Sequence, residues 1–438
     1  MTRLIVSGLF LLAVSLIDPP AQAGTDRHDL FLTQIAIQPL HPSLVYAVTT
    51  YSIGVLKSSD GGAHWNLINR GIKSYSLYHF AVHPTDPKVL YLGAGGGGLY
   101  KSVDGGDNWT EMNDGLQDTD IGQMLLHPDN PERIYLVCAS GVYKSPDGGR
   151  HWEAWNQGDH FTSSQEFQNL VVMTGKPDRY FLASKKGLYT RSDNEPSWQP
   201  ASAEMDNRLI SALAVDPFRK RIYAAVLRDG KTLKGGGLYV SDDQGSHWTS
   251  VSEGVERDWI RVIRIDPAEP GHLYLATSNR GILSGHEGKN DWTELNSGLD
   301  SRDIRTLTID PSDSRILYAG AHGEGIFKSK DGGKSWIHPG EIPPLDISAL
   351  IDRLTAFPPE RKRPAILLPS SFSKCNKCHG WTDPYLNRVH GYWLVPPNRR
   401  KWESTVERMS QGAGLTPEEE KEITSFLNRY SEEIRSNP

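Results

Sequence analysis

The sequence predicts an all-β seven-bladed propeller followed by a small all-α domain. A short motif recurs seven times along the greater part of the chain, β-rich segments surround every copy, and the repeat stops after residue 342. Beyond it the chain is rich in proline, and a capping box at Thr416 and Glu419 predicts a final helix. We therefore expect residues 24–342 to form the propeller, residues 343–364 a linker and residues 365–438 the helical domain.

The chain begins with a predicted signal peptide, residues 1–23. Arg3 precedes an apolar run, residues 4–17, which a proline pair and the triplet Ala21-Gln22-Ala23 follow. The run is shorter than the ~20 residues that a membrane-spanning helix needs, and small residues in this pattern suit signal peptidase. An uncleaved anchor would leave the prolines and the alanines without a role. We expect cleavage, export to the periplasm, and no transmembrane segment in the mature protein.

Composition narrows the possible partners. The formal net charge is -6 and 23% of the residues are charged, with no basic tract of the kind that binds nucleic acid. Of the three cysteines, Cys138 stands alone in the strand-like run Arg133–Cys138. We expect it to be a buried, unpaired, apolar residue rather than a reactive thiol.

The repeated motif reads Ser-x-Asp-x-Gly-x-x-Trp in five copies and is degenerate in two. A fixed period of 20 to 50 residues indicates a repeat architecture. The copies lie 43 to 49 residues apart and begin at Ser58, Ser102, Ser145, Ser192, Ser241, Ser284 and Ser329, with Ser192 and Ser284 beginning the degenerate ones.

Each repeat contains four predicted strands. In the sixth they are residues 260–265, 272–276, 281–284 and 292–295, bounded by Gly, Pro, Asn or Asp. Four strands in ~45 residues correspond to one propeller blade. Seven blades stacked radially bury both faces of each sheet and leave only short edges.

The motif resembles the Asp-box, or BNR, motif of bacterial sialidases, sortilin-type receptors, xyloglucanases and the photosystem II assembly-factor propellers. The resemblance implies the propeller fold and does not specify an activity. We expect the Asp to bond the backbone of its own hairpin, the glycines to accept positive φ, and the Trp to close the turn by packing on the blade.

Catalysis by the propeller stays an open alternative. The sialidase resemblance implies an Arg-Ile-Pro segment, but the nearest matches, Arg133-Ile134-Tyr135 and Arg221-Ile222-Tyr223, lack the proline and fall in second strands. A glycosidase needs two carboxylates about 5 to 9.5 Å apart, and sequence does not show which acidic residues converge. His83 and His127 precede prolines after first strands, and we interpret them as turn residues rather than metal ligands.

Basic residues gather on one predicted rim, formed by the links between blades and by the turns between second and third strands. As solvated charges they would be balanced by Asp258, Asp303 and Glu324; alternatively, they dock an acidic partner. The rim residues are Arg70, Lys73, Lys185, Lys186, Arg208, Arg228, Lys231, Lys234, Arg257, Arg261, Arg280, Arg302 and Arg305.

The segment Cys375-Asn-Lys-Cys378-His379 predicts one covalently attached haem c. In Cys-x-x-Cys-His the two thiols can bond the two vinyl groups of haem, and the adjacent His379 can be the proximal ligand of the iron. Zinc binding and thiol exchange are the alternatives, but the adjacent His, the exported context and the lack of a second Cys pair disfavour them.

Met409 is the predicted distal ligand of the haem iron. Trp402, Val406 and Met409 share one face of a short predicted helix, a pattern that also suits core packing. The segment resembles small class I monohaem cytochrome c domains, and this resemblance implies that Met409 binds the iron. His390 is the rival sixth ligand. His/Met ligation favours a higher reduction potential than bis-His ligation.

These features predict a periplasmic electron-transfer protein whose propeller docks a protein redox partner, an electron carrier more than a substrate-converting enzyme. Two alternatives remain. One is a propeller-based oxidoreductase or glycoside-acting enzyme with an accessory haem. The other is an assembly or receptor-type binding protein.

Overall fold

The structure is a computed structural model that describes residues 31–50, 53–74, 76–156, 167–227, 235–340 and 342. It confirms the all-β, seven-bladed propeller. The predicted signal peptide, linker and helical domain lie outside the described residues. Within them, no helix is long and apolar enough to cross a membrane, and the one helical element is a short 3-10 turn (Ala203–Met205).

Each blade is an antiparallel meander in chain order. Blades 1 to 3 consist of β1 (Leu32–Gln38), β2 (His41–Thr49), β3 (Val55–Ser58), β4 (Asn66–Leu67); β5 (Leu77–Val82), β6 (Leu90–Ala94), β7 (Gly98–Ser102), β8 (Thr110–Glu111); and β9 (Ile121–His127), β10 (Asn130–Cys138), β11 (Gly141–Ser145), β12 (Glu153–Ala154). Blades 4 and 5 consist of β13 (Phe167–Met173), β14 (Arg179–Ser184), β15 (Gly187–Ser192), β16 (Gln199–Pro200); and β17 (Ile210–Asp216), β18 (Arg221–Val226), β19 (Gly237–Ser241), β20 (Thr249–Ser250). Blades 6 and 7 consist of β21 (Ile260–Ile265), β22 (His272–Thr277), β23 (Ile282–His286), β24 (Thr293–Glu294); and β25 (Ile304–Asp310), β26 (Asp313–Ala321), β27 (Gly325–Ser329). In blade 7 a single bridge between Lys328 and Ile337 takes the place of the fourth strand.

The first strands of the seven blades form a closed ring around a central channel. Each contacts the first strand of the next blade, and β1 contacts β25. Second strands are buried on both faces by the neighbouring blades, which explains their continuous apolar runs, such as Leu273–Ala276. The core therefore lies between blades; one cluster joins Tyr46 and Val55 of blade 1 to Leu77 and Phe80 of blade 2.

The antiparallel meander gives the disc two distinct faces. The turns between second and third strands and the links between blades lie on one side, which we call the link face. The Asp-box hairpins, between third and fourth strands, lie on the other side, the box face. This arrangement confirms that the predicted rim segments emerge on a common side.

The intact Asp-boxes have the predicted local geometry. In the first, Ser58 Oγ donates to Asp60 Oδ1 at 2.8 Å and accepts from Gly62 N at 2.8 Å, and His64 N donates to Asp60 Oδ1 at 2.9 Å. Gly62 has φ +94°, a conformation that glycine adopts at little cost because it has no Cβ. The same bonds recur in the other four intact boxes.

The boxes also join neighbouring blades, which the sequence analysis did not foresee. Trp109 Nε1 in blade 2 donates to Ile68 O in blade 1 at 2.7 Å, and Trp152, Trp198 and Trp336 make the equivalent bond. In return, Lys57 Nζ of blade 1 donates to Gly105 O in the box of blade 2 at 2.8 Å. The ring closes in the same way, because Tyr318 Oη and Lys328 Nζ of blade 7 both donate to Gly61 O of blade 1.

Charged networks occupy the junctions that lead into the two degenerate boxes. Arg133 Nη2 of blade 3 donates to Tyr180 Oη at 2.7 Å and to Asp193 Oδ1 at 3.0 Å, both in blade 4. Arg221 and Tyr223 of blade 5 both bond Glu287 of blade 6. The two Arg-Ile-Tyr segments, at Arg133 and Arg221, therefore join blades.

Candidate functional site at the channel mouth

Two arginines of adjacent blades share one carboxylate at the link-face end of the channel. Arg261 Nε lies 3.2 Å from Asp303 Oδ1, and Arg305 Nη2 lies 2.8 Å from Asp303 Oδ2. Arg305 Nε is buried, with no hydrogen-bond partner among the described residues. With two guanidinium groups and one carboxylate, this site carries a net positive charge.

A repeated β-bulge places these side chains. In β21 the pairing with β22 shifts between Ile260 and Val262, and in β25 the pairing with β26 shifts between Ile304 and Thr306. The extra residues are Arg261 and Arg305, and a bulge redirects the side chain of its extra residue. The other blades have Thr33, Tyr78, Gly122, Gln168 and Ser211 at this position.

Aromatic groups surround the arginines. The Arg261 guanidinium lies 4.8 Å from the centroid of the Trp259 ring, which is 46% exposed, a large fraction for a tryptophan. The His322 backbone N–H donates to Asp303 O, and its ring packs edge-on against Phe31 at 5.4 Å. We call Trp259, Arg261, Asp303, Arg305 and His322 the mouth cluster.

The charges of the mouth cluster affect one another. Burial lowers the pKa of Arg261, and the neighbouring Arg305 lowers it further. Burial, followed by the charge of Arg305, lowers the pKa of His322 from its ordinary 6.5. His322 is therefore neutral at neutral pH. A negative charge added at this site would be attracted by the guanidinium groups of Arg261 and Arg305.

Two other members of the predicted basic rim, Lys73 and Arg280, are paired with acidic side chains. Arg280 Nη1 lies 2.8 Å from Asp258 Oδ2 and its Nε lies 3.1 Å from Glu294 Oε1. Lys73 pairs with Glu111 at 3.0 Å. Arg228, Lys231 and Lys234 lie outside the described residues. Arg261 and Arg305 differ from these residues in sharing a single carboxylate, that of Asp303.

A groove of about 590 Å³ lies between blades 5 and 6. Its lining includes Tyr239, Glu253, Glu256 and Arg257. Both glutamates are exposed, whereas a catalytic acid is typically buried so that it stays protonated. The groove therefore gives no support to hydrolysis.

The predicted turn histidines and the lone cysteine have structural roles. His83 Nδ1 accepts Asp86 N at 3.1 Å, and His127 Nε2 lies 2.9 Å from Asp178 Oδ2 in the next blade. Within the described ranges no group of three or more His, Cys, Asp or Glu side chains could hold a metal ion. Cys138 is a free thiol that is 2% exposed, and burial raises its pKa, so it is unreactive as predicted.

The residues predicted to bind haem lie outside the described part of the chain. These are Cys375, Cys378, His379 and Met409, together with the rival ligand His390. Their assignment stays a prediction from sequence.

Similarity to known proteins extends over the propeller. Residues 53–194, less than half of the chain, match the Sortilin-Vps10 family model (sortilin, neurotensin receptor 3). No curated protein sequence matches the chain.

Among solved structures, a GH74 xyloglucanase from Xanthomonas campestris is 20% identical, with a TM-score of 0.57 over 72% of this chain and 55% of that one. The GH74 enzyme of Niastella koreensis is 18% identical, with a TM-score of 0.58 over 73% and 55%. YCF48 bound to D1 peptide is 14% identical, with a TM-score of 0.52 over 69% and 93%. The chain thus spans about half the length of the GH74 enzymes. It is similar in fold to these propellers.

Proposed function

We propose that the chain is an exported c-type cytochrome whose propeller docks an acidic redox partner at the mouth cluster. The observation that carries the proposal is the Cys375-x-x-Cys378-His379 segment, which occurs in the same chain as a propeller with two arginines that share one carboxylate. The first feature supports a covalent haem, and the second supports a surface that recruits a partner of opposite charge.

The donor set fits haem c on chemical grounds. Two thiols three positions apart could form the two thioether bonds of haem c, and the adjacent imidazole could bind its iron. Cys375 and Cys378 would hold the group covalently, His379 would be the proximal ligand, and Met409 the distal ligand. When bound, haem c supplies one-electron transfer.

The mouth cluster supports docking through charge and exposed aromatic surface. Arg261 and Arg305 retain guanidinium donors that Asp303 does not use, and arginine matches carboxylates in bidentate geometry. Trp259 adds the kind of exposed aromatic side chain that anchors protein interfaces. Because both domains belong to one chain, docking would raise the concentration of the partner near the haem domain.

The cofactor is tested on the mature chain expressed with cytochrome maturation machinery. We expect a covalent haem spectrum that Cys375→Ala and Cys378→Ala abolish. We expect Met409→Ala to change the spectrum and the reduction potential, and His390→Ala to leave both unchanged. A colourless wild-type protein would contradict the cofactor, whereas an unchanged Met409→Ala spectrum would contradict only the ligand.

Docking is tested by stopped-flow reduction of the protein by periplasmic dehydrogenases at increasing ionic strength. We expect the Arg261→Glu, Arg305→Glu double variant to lower the second-order rate at low salt by about tenfold or more. Arg315→Glu is the matched control, since Arg315 is exposed and pairs with Asp313 away from the mouth. A rate insensitive to salt and to the double reversal would contradict docking at this site.

An assembly or receptor-type binding protein is the second candidate. It is favoured by the likeness to YCF48, which covers 93% of that chain and whose structure contains a bound peptide. In that case partner binding would depend on the mouth cluster, but no dehydrogenase would reduce the haem. The GH74 likeness makes a screen for sugar turnover worthwhile as a check on the enzyme alternative.

A further inference from the structure

Three side chains of blade 6 form a continuous chain of hydrogen bonds. His272 Nδ1 lies 3.1 Å from Asp266 Oδ2, and His272 Nε2 lies 2.6 Å from Ser284 Oγ. The contacts link three segments on the box-face side of the blade, because Asp266 follows β21, His272 begins β22 and Ser284 lies in β23. A serine, an imidazole and a carboxylate joined in this order are the groups of a nucleophilic triad.

Asp266 is held in place and ionised. Its Oδ1 atom accepts hydrogen bonds from Ala268 N at 2.9 Å and from Ser314 Oγ of blade 7 at 2.6 Å. Burial opposes ionisation of the carboxyl group, but the hydrogen bonds from Ser314, Ala268 and His272 lower its pKa below the ordinary value. The carboxylate therefore accepts the Nδ1 proton of His272, and Nε2 accepts the hydroxyl proton of Ser284. In this tautomer the histidine can act as a general base.

Ser284 takes the place of a lysine that joins blades elsewhere in the ring. It lies opposite Tyr274 in the sheet, where Lys101 lies opposite the equivalent tyrosine of blade 2. Lys101 Nζ donates to Gly148 O in the box of the next blade at 3.0 Å. The Ser284 hydroxyl instead bonds His272 of its own blade. At this position a hydroxyl group directed at a base thus replaces a cation directed at the next blade.

The three groups become more buried from the serine to the carboxylate. Ser284 is partly exposed, the side chain of His272 is 15% exposed, and that of Asp266 is 7% exposed. A second histidine, His286, packs beside His272 with ring centroids 5.1 Å apart, but its two nitrogens face other carboxylates. The hydroxyl and the base are therefore open to a slender reactant, while the carboxylate is shielded from water.

We propose that Ser284, His272 and Asp266 form a hydrolytic site for small carboxylic esters. Ser284 Oγ bonds the carbonyl carbon of the ester and gives its proton to His272 Nε2; the bond from that carbon to the alcohol oxygen breaks, and the alcohol leaves with the proton. Water then bonds the acyl carbon and gives a proton to Nε2, and the carboxylic acid leaves as Ser284 Oγ takes that proton. Asp266 orients the imidazole and stabilises its cationic form. The site is independent of the proposed haem and of the mouth cluster, which is on the opposite face.

The test is acetylation of the full mature chain by p-nitrophenyl acetate, quenched in acid and located by peptide mass spectrometry. We expect an acetyl group on Ser284, and continued release of p-nitrophenol that Ser284→Ala lowers. His272→Gln should slow acetylation of Ser284 by about 100-fold, and Asp266→Asn by about tenfold or more. His151→Gln is the matched control and should keep the full rate, since His151 also pairs with a carboxylate, that of Asp147, at 2.7 Å in the box of another blade.

Unmodified Ser284 in the folded wild type would overturn the proposal, as would equal acetylation in His272→Gln or release that stops after one equivalent. If His272→Gln does not fold, labelling of the wild type by diisopropyl fluorophosphate decides. In this reaction the serine oxygen bonds phosphorus and fluoride leaves. We expect modification of Ser284 and not of Ser314, which is also partly exposed and also bonds Asp266. Equal labelling of the two serines, or none at Ser284, would refute the site.

Discussion

At the scale of single residues, the indole N–H of a box tryptophan can form a hydrogen bond between blades. Trp109 Nε1 donates to Ile68 O, whereas Trp65 Nε1, at the same motif position, has no partner among the described residues. Trp109→Phe leaves a buried carbonyl unsatisfied, which costs about 1–3 kcal/mol. We therefore expect a larger loss of unfolding free energy for Trp109→Phe than for Trp65→Phe, measured by denaturant titration. Equal losses would show that the tryptophans act by packing alone.

The box aspartates make the hairpins sensitive to acid. The Asn108 side chain and backbone hold the pKa of Asp104 down, from 3.8 to about 2. A depressed folded-state pKa means that the contribution to stability is complete above the unfolded value, near pH 4, and is lost as pH falls through about 2. We expect the carboxyl carbon of Asp104 to titrate near pH 2 by NMR. In the wild type, the protection of this hairpin's amides from hydrogen exchange should fall in acid. In Asp104→Asn this fall should be absent.

At the scale of elements, the link after each fourth strand carries a second repeated device. Asn113 Oδ1 accepts Leu99 N, which ties the link to its own blade, and Trp152 N donates to Asp114 O, which ties it to the next. The next residue, Gly115, has φ +85°, and an added Cβ would lie 2.2 Å from Trp152 O. The same Asn-x-Gly spacing recurs at Asn69, Asn156 and Asn296.

This link predicts that substitution by Ala destabilises the protein to different extents at two glycines of similar φ. Gly288, at φ +69°, has nothing within 4 Å of an added Cβ, so Gly288→Ala meets only the backbone cost of about 1–2 kcal/mol. Gly115→Ala adds a collision with the backbone of the next blade. We expect a clearly larger drop in Tm for Gly115→Ala than for Gly288→Ala. Similar drops would mean that the link relaxes around the methyl group.

The elements that sequence predicts best here are those held by local bonds. Hydrogen bonds between residues four apart close the box hairpin, Ser58 with Gly62 and Asp60 with His64. The spacing of the motif was therefore sufficient to predict this hairpin. The Asn-x-Gly link recurs at the same period, so the sequence also contains the signal for it. The sharing of Asp303 by Arg261 and Arg305 depends on two bulges, which the spacing of the motif does not predict.

At the scale of the whole molecule, docking at the mouth cluster should be coupled to pH. A partner carboxylate placed near Arg305 and Arg261 would offset the charges that, with burial, depress the pKa of His322, while Asp303 favours its protonated form. The pKa of His322 should therefore rise on docking. Affinity should increase as pH falls between the docked and free values, and His322→Gln should flatten this profile in calorimetry. An identical slope in the variant would assign the effect to other groups.

The junction between the last and first blades repeats one contact that is found inside the chain. Tyr318 and Lys328 bond Gly61 O just as Tyr91 and Lys101 bond Gly148 O. The non-covalent closure of the ring therefore uses the same pair of side chains and the same box carbonyl as a junction within the chain. A gene rearranged to start at its third blade, with the original first and last blades joined by a short peptide, would encode the same seven junctions. Such a circularly permuted propeller is expected to fold.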